Sequence, residues 1–244
     1  MKKILLFSVL TTLLFCSCQE KWEESKPSET LPIILTYEQE LDIVNNYTVI
    51  DTINHSYSVL ITDSIMQAEH LTDTNIKLIL KEITRINNNI EEDIKAGITT
   101  TLTLNNNKGF QSYSINPNHF ISFRDEYIPA NKSKIQTRAG LGGMSFSQGS
   151  WNEFSVEFYG TDHVTSKFYV DSCRGYWHVN VECTTGTSSY GNTFSTYGTR
   201  YTSGTINRYW WSTVGGQAPF RWYFKANGPV GGEANGGIDF SDTI

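Results

Sequence analysis

The apolar positions of this chain change their period near its middle. From about Asp73 to Ala96, Ile76, Ile79, Leu80, Ile83, Ile86, Ile90 and Ile94 recur every three or four residues, the period of one helix face, and Gly97 stands where a helix C-cap belongs. The polar face mixes Asp73, Glu82, Glu91, Glu92 and Asp93 with Lys77, Lys81, Arg85 and Lys95. It lacks the basic excess and the Trp or Phe of a helix lying on a membrane, so the oily face is expected to pack on a sheet. ITTTLTL (98–104) and GFQSYSI (109–115) are expected to form that sheet. Earlier, Thr36 and Gln39 fit a capping box ahead of a short helix. YTVIDT (47–52) and YSVLIT (57–62), separated by Ile53-Asn54-His55-Ser56, predict a hairpin.

Beyond about residue 140 the period becomes two. Phe154, Val156 and Phe158 fall on one face of a strand, as do Trp177, Val179, Val181 and Cys183, and again Phe220, Trp222 and Phe224. With SKFYV (166–170), SYGNTFSTYGTRYT and TINRYWWSTV, about six strands are expected at the spacing of a sandwich. Composition sharpens the division: 17 of the 19 glycines lie at or after Gly140, which argues for two domains. The expected fold class is an α+β N-terminal domain followed by an all-β, sandwich-like C-terminal domain. The expected bounds are a leader over 1–17, an acidic tether over 18–30, the α+β part over 31–131, an exposed linker over 132–143 and the β part over 144–244.

The leader carries Lys2 and Lys3, then an apolar run from Ile4 to Phe15, too short for a spanning helix of about 20 residues. Its end, FCSC before QEKWEE, resembles the relaxed lipoprotein signal of Bacteroidota, and the resemblance implies acylation of Cys18. Acyl chains contribute about 0.8 kcal/mol per buried methylene, enough together to hold a protein on a membrane. Glu20, Glu23 and Glu24 look like the surface-export signal of that phylum. The triplets Asp51-Thr52-Ile53, Asp63-Ser64-Ile65 and Asp242-Thr243-Ile244 resemble its O-glycosylation sites. An exported, outer-membrane or cell-surface lipoprotein is expected, anchored or released to the medium. Loss of residues 1–17 leaves 17 Lys and Arg against 25 Asp and Glu, and without clustered cations nucleic acid is not an expected partner.

Zinc, nucleophile-elbow, phosphate-loop and CxxC patterns are all missing, so an enzyme, a metal site or a cofactor is not expected. In an exported chain Cys173 and Cys183 are candidates for a disulfide. One extended strand between them would hold the Cα atoms roughly 25 to 30 Å apart against the 4.4 to 6.8 Å a disulfide needs. Either the segment doubles back, or Cys183 is a buried strand residue. Alternation leaves Tyr159, Arg208 or Tyr209, one of Trp210 and Trp211, Arg221 and Tyr223 pointing away from the core. Tyr159, Arg208, Tyr209, Trp211, Arg221 and Tyr223 are the candidate binding surface, since aromatic rings beside arginine suit carbohydrate faces, lipid head groups and protein hot spots. The Thr, Ser and Tyr content of 184–205 also resembles the membrane hairpins of pore-forming toxins, as it does ordinary solvent-exposed strands.

KSKIQTRAGLGG (132–143) stands at the composition boundary, polar and glycine-rich, the kind of exposed segment a protease binds in extended form. Gln136-Thr137-Arg138-Ala139 resembles junctions that clostripain-like or gingipain-like cysteine proteases cut after arginine in Bacteroidota precursors. The layout of leader, first half, arginine junction and second half is similar to that of proteolytically activated Bacteroidales toxins directed at related bacteria. The resemblance implies cleavage between Arg138 and Ala139 by an Arg-specific protease. It also implies an antibacterial, bacteriocin-like function on an envelope glycan, lipid or protein of a competitor. Two alternatives stand beside it: a surface lipoprotein whose sandwich binds glycan or protein, and a fimbrial or matrix subunit that assembles by strand addition.

Overall fold

The computed structural model describes residues 34–116, 121–129, 142–146, 153–159, 161, 163–173, 175–185, 191–199, 204–212, 221–227 and 234–241. Cys18, Arg138 and Ala139 lie outside these residues, as does most of the expected linker. The first elements are α1 (Tyr37–Asn46), the hairpin β1 (Thr48–Asp51) and β2 (Ser56–Val59), α2 (Asp63–Ala68) and α3 (Asp73–Lys95). The capping box forms: Gln39 N donates to Thr36 Oγ1 at 3.3 Å and Thr36 N to Gln39 Oε1 at 2.8 Å. Asp51 closes the hairpin turn by accepting from the Ile53 and Asn54 amides. Gly97 N donates to Ile94 O and Ile98 N to Asp93 O, each at 3.0 Å, with Gly97 at φ +75°, so α3 ends in a Schellman turn. Its other end is held by buried Glu40, which accepts from Thr72 N at 3.0 Å and from Asn75 Nδ2 at 2.9 Å. A carboxylate is favoured there because the first amides of a helix lack internal partners.

The remaining elements are strands: β3 (Thr99–Asn106), β4 (Gly109–Ile115), β5 (Ile121–Pro129), β6 (Gly142–Phe146), β7 (Glu153–Tyr159), β8 (His163–Cys173), β9 (Trp177–Thr185), β10 (Gly191–Gly198), β11 (Gly204–Ser212), β12 (Arg221–Asn227) and β13 (Ala234–Ser241). They build a six-stranded sheet ordered β4-β3-β10-β9-β12-β7 and a five-stranded sheet ordered β5-β11-β8-β13-β6. β10 pairs parallel with β3, and the other neighbours are antiparallel. Alternation decides what each face buries. Trp177, Val179, Val181 and Cys183 of β9 and Trp222, Phe224 and Ala226 of β12 meet Trp210, Phe168, Ile238 and Phe240 of the other sheet in one core. Rings touch across it, Trp210 with Phe224 at 5.6 Å and Phe224 with Phe240 at 4.6 Å between centroids. A second core lies on the opposite face of the six-stranded sheet. There Ile76, Ile79, Ile83, Ile86 and Ile90 of α3 pack with Leu102 and Leu104 of β3, Tyr197 of β10 and Tyr57 of β2. Leu80, expected on the oily face, is exposed.

The molecule is mostly β, in several sheets with a short helical part. It does not divide at 132–143. Residues 34–244 form one compact unit, and strands from both halves enter both sheets: β3 and β4 extend β10, and β5 extends β11. The glycine shift reports a change in local composition, whereas strand pairing joins distant segments. Gly142 and Gly143, placed in the linker from sequence, belong to β6 and pair with Phe240 and Asp239. Among the described residues, no helix is long and apolar enough to cross a membrane, which says nothing of a crossing by strands.

Candidate functional site

Six residues were expected on one binding surface, and the fold sends them to three places. Arg208 is completely buried. Its neighbours Ile206 and Trp210 point into the core between the sheets, and alternation takes the guanidinium with them. Nε and Nη2 donate to the two carboxylate oxygens of Asp125 on β5 at 2.7 and 2.9 Å, and Nη1 donates to Thr196 Oγ1 of β10 at 2.8 Å. The guanidinium plane lies over the Phe123 ring at 4.2 Å. A bidentate fork with its third nitrogen satisfied and an aromatic beneath it is what lets an arginine remain charged away from water. This correction removes Arg208 from the surface and makes it a tie between β5, β10 and β11.

Tyr209 and Trp211 occupy the solvent face of the five-stranded sheet. Trp211 is 40% exposed, opposite Ser122 of β5 and His163 of β8. Tyr209, two residues back on the same face, carries the Arg124 guanidinium over its ring at 5.2 Å and donates its hydroxyl to Glu126 Oε2 at 2.8 Å. Partial burial, with that hydrogen bond adding to it, raises the Tyr209 phenol above its ordinary range. The result is a strip of indole and phenol with a cation at its edge, set on neighbouring strands.

Tyr159, Arg221 and Tyr223 lie on the solvent face of the other sheet, on the far side of the molecule. Tyr159 stands directly opposite Arg221, and Tyr223 opposite Glu157. Glu157 organises the group: it accepts from the Tyr159 hydroxyl at 2.5 Å and pairs with Arg221. The Tyr159 hydrogen bond first, and then Arg221, hold its carboxyl below the usual range. Tyr159 is 64% exposed, yet its hydroxyl and the guanidinium already have a partner within the protein. The face of the five-stranded sheet presents the Trp211 indole to solvent, with the Arg124–Tyr209 pair on the same face.

Cys183 is a free thiol with no exposure, and burial raises its pKa well above the ordinary value, so the thiolate needed for nucleophilic chemistry is disfavoured. Cys173 ends β8 in the other sheet, so the proposed pair stands on two different sheets, and the disulfide is not formed. His178 leaves the Trp177 face, as alternation requires, but α3 covers it. Its ring stacks on Tyr197 at 4.0 Å between centroids, with Nε2 buried 3.7 Å from Asp93 Oδ2. Desolvation lowers its pKa to about 4, against the pull of Asp93.

The residues that sequence reasoning missed are the partners: Asp125, Glu157, Arg124 and Asp93. The run ISFRDEYIP does carry a signal, because Phe123, Asp125 and Tyr127 alternate with Arg124 and Glu126. A charged residue at an inward position of an apolar alternation calls for an opposite charge elsewhere, and Arg208 has that same placement on its own strand. Comparison with protein-family models, with curated proteins and with solved structures found no match.

Proposed function

We propose that this chain is an exported antibacterial toxin that is cut after Arg138 and acts on the envelope of competing bacteria, docking through the Trp211 face of a sandwich-like body. The observation that carries the reading is the position of the junction. Residues 130–141 join β5 to β6, and these strands form the two opposite edges of the five-stranded sheet. A cut there frees one end of each edge strand while leaving every core residue in place, so the constraint that is released is confined to the sheet edges. The Trp211, Tyr209 and Arg124 strip supports docking to envelope glycan or lipid head groups, whose apolar sugar faces and anionic groups suit indole and guanidinium. Lipidation at Cys18 would route the chain to the outer membrane before release.

The test is killing of a susceptible relative by the exported protein with Arg138→Ala beside wild type. Export should be unchanged and killing lost; equal killing by the uncut variant would refute the reading. Exposure of Trp211 also favours a second reading, a surface lipoprotein that binds glycan through that face without any cut. In that case Trp211→Ala lowers glycan binding and Arg138→Ala changes nothing.

A further inference from the structure

We infer that a cut between β5 and β6 does not shed the first half of the chain: the two pieces remain one non-covalent body, held by a buried interface that includes the Arg208–Asp125 pair. In the cut, water adds across the Arg138–Ala139 amide, leaving a carboxylate on one piece and an amine on the other, and nothing else is broken. The first piece then contributes β3, β4 and β5, and the second contributes β6 to β13. Their contact is continuous backbone pairing in both sheets. β5 runs along β11 from Ile121 opposite Ser212 to Pro129 opposite Gly204, and β3 runs parallel to β10 from Thr99 opposite Phe194 to Thr103 opposite Gly198.

Side chains reinforce both seams. Phe123 of the first piece packs edge-on against Phe194 and tilts against Trp210 of the second, at 5.7 and 5.5 Å between centroids. Tyr57 Oη lies 2.8 Å from the Thr103 carbonyl and 3.1 Å from the Tyr197 carbonyl, straddling the β3–β10 seam. Tyr197 donates to Asp93 on α3 at 2.7 Å. Separation would strand Arg208, a fully buried cation, without its carboxylate. It would also open two sheet edges at once, β10 and β11. Unpaired edges and an uncompensated buried charge are both strongly disfavoured.

The inference takes its biological setting from the proposed cut, but the interface can be examined separately. The exported full-length chain, with a recognition sequence for an unrelated specific protease placed within 130–141, is cut in solution and passed through size exclusion and native mass spectrometry. The cut protein is expected to give two bands under denaturing conditions and one native species, heavier than the uncut form by one water. Hydrogen exchange should leave the amides of β10 and β11 protected. Two separate native species, or loss of protection on those strands, would overturn the inference. Asp125→Asn should weaken association of the cut pieces at least about a hundredfold. Association of the cut Asp125→Asn pieces as firm as in wild type would overturn the role given to the Arg208–Asp125 pair; if the uncut variant fails to fold, the cut wild-type protein decides the matter. Failure of an Arg-specific protease to cut at Arg138 would sink the toxin reading while leaving the interface result standing.

Discussion

Gly198 faces Trp177 across the β9–β10 ladder, and a Cβ added there would lie 2.1 Å from the indole Cε2. Trp177 is only 1% exposed and has nowhere to move, so Gly198→Ala should cost about 1–3 kcal/mol or more, read as a fall in urea midpoint. Asp125 is a second position where one change has a large effect. Asp125→Ala leaves the Arg208 cation buried and unpaired, and a loss of about 3–5 kcal/mol is expected. The third residue is His178, which faces Asp93 from α3 and Asn180 on its own strand, with Arg85 of α3 adding an opposing positive charge. Its folded pKa of about 4 lies below the ordinary 6.5, so the unfolded chain binds a proton more readily between those values. Its effect on stability is therefore constant above about pH 6.5, and stability falls as pH drops toward 4, then levels off as far as this group is concerned. Urea midpoints of wild type and His178→Asn from pH 7 to pH 4 check the sign: the wild-type decline should be the steeper, and parallel curves would show that His178 does not titrate in this window.

Elements with one strong local signal were legible in the sequence. The isoleucine period and Gly97 behind it place α3, and the capping box places α1, because caps and periodicity act within a few residues. The same holds for β7, β9 and β12, where alternating large apolar residues mark the inward face. Three strands escaped. β13 contains Gly236 and Gly237, β6 contains Gly142 and Gly143, and β5 carries Arg124, Asp125 and Glu126 in succession. Glycine and charge are depleted in strands on average, and these strands form through pairing with β8, β13 and β11, a non-local effect that no short window contains. Of the candidate surface, alternation left Arg208 or Tyr209 and Trp210 or Trp211 undecided, because period two leaves its absolute phase open when inward positions include a charge; Arg208 and Trp210 turn out to be the buried members. Gly97→Ala offers a check on the helix terminus: at φ +75° the added methyl is strained, and a loss of about 1 kcal/mol is expected in thermal unfolding despite open space around the Cα.

At the scale of the whole molecule, the interleaving of the halves dictates how it unfolds. Two domains joined by a linker would melt separately, each with its own core. Here the six-stranded sheet has one face in each core: Trp177 and Phe224 on the side shared with the other sheet, Tyr197 and Leu102 on the side under α3. Loss of the helical layer exposes the same strands that hold the inter-sheet core, so neither core can persist without the other. Fluorescence of the buried Trp177, Trp210 and Trp222 reports the inter-sheet core, and helical circular dichroism reports α3. The two signals should trace one transition with a common midpoint in urea. Ile86→Ala, which opens a cavity beneath α3, should shift both by the same amount, corresponding to about 2–5 kcal/mol. A helical signal that disappears while the tryptophans stay buried would mean that the first half is a separable layer, and would remove the physical basis for a two-piece body that survives a cut between β5 and β6.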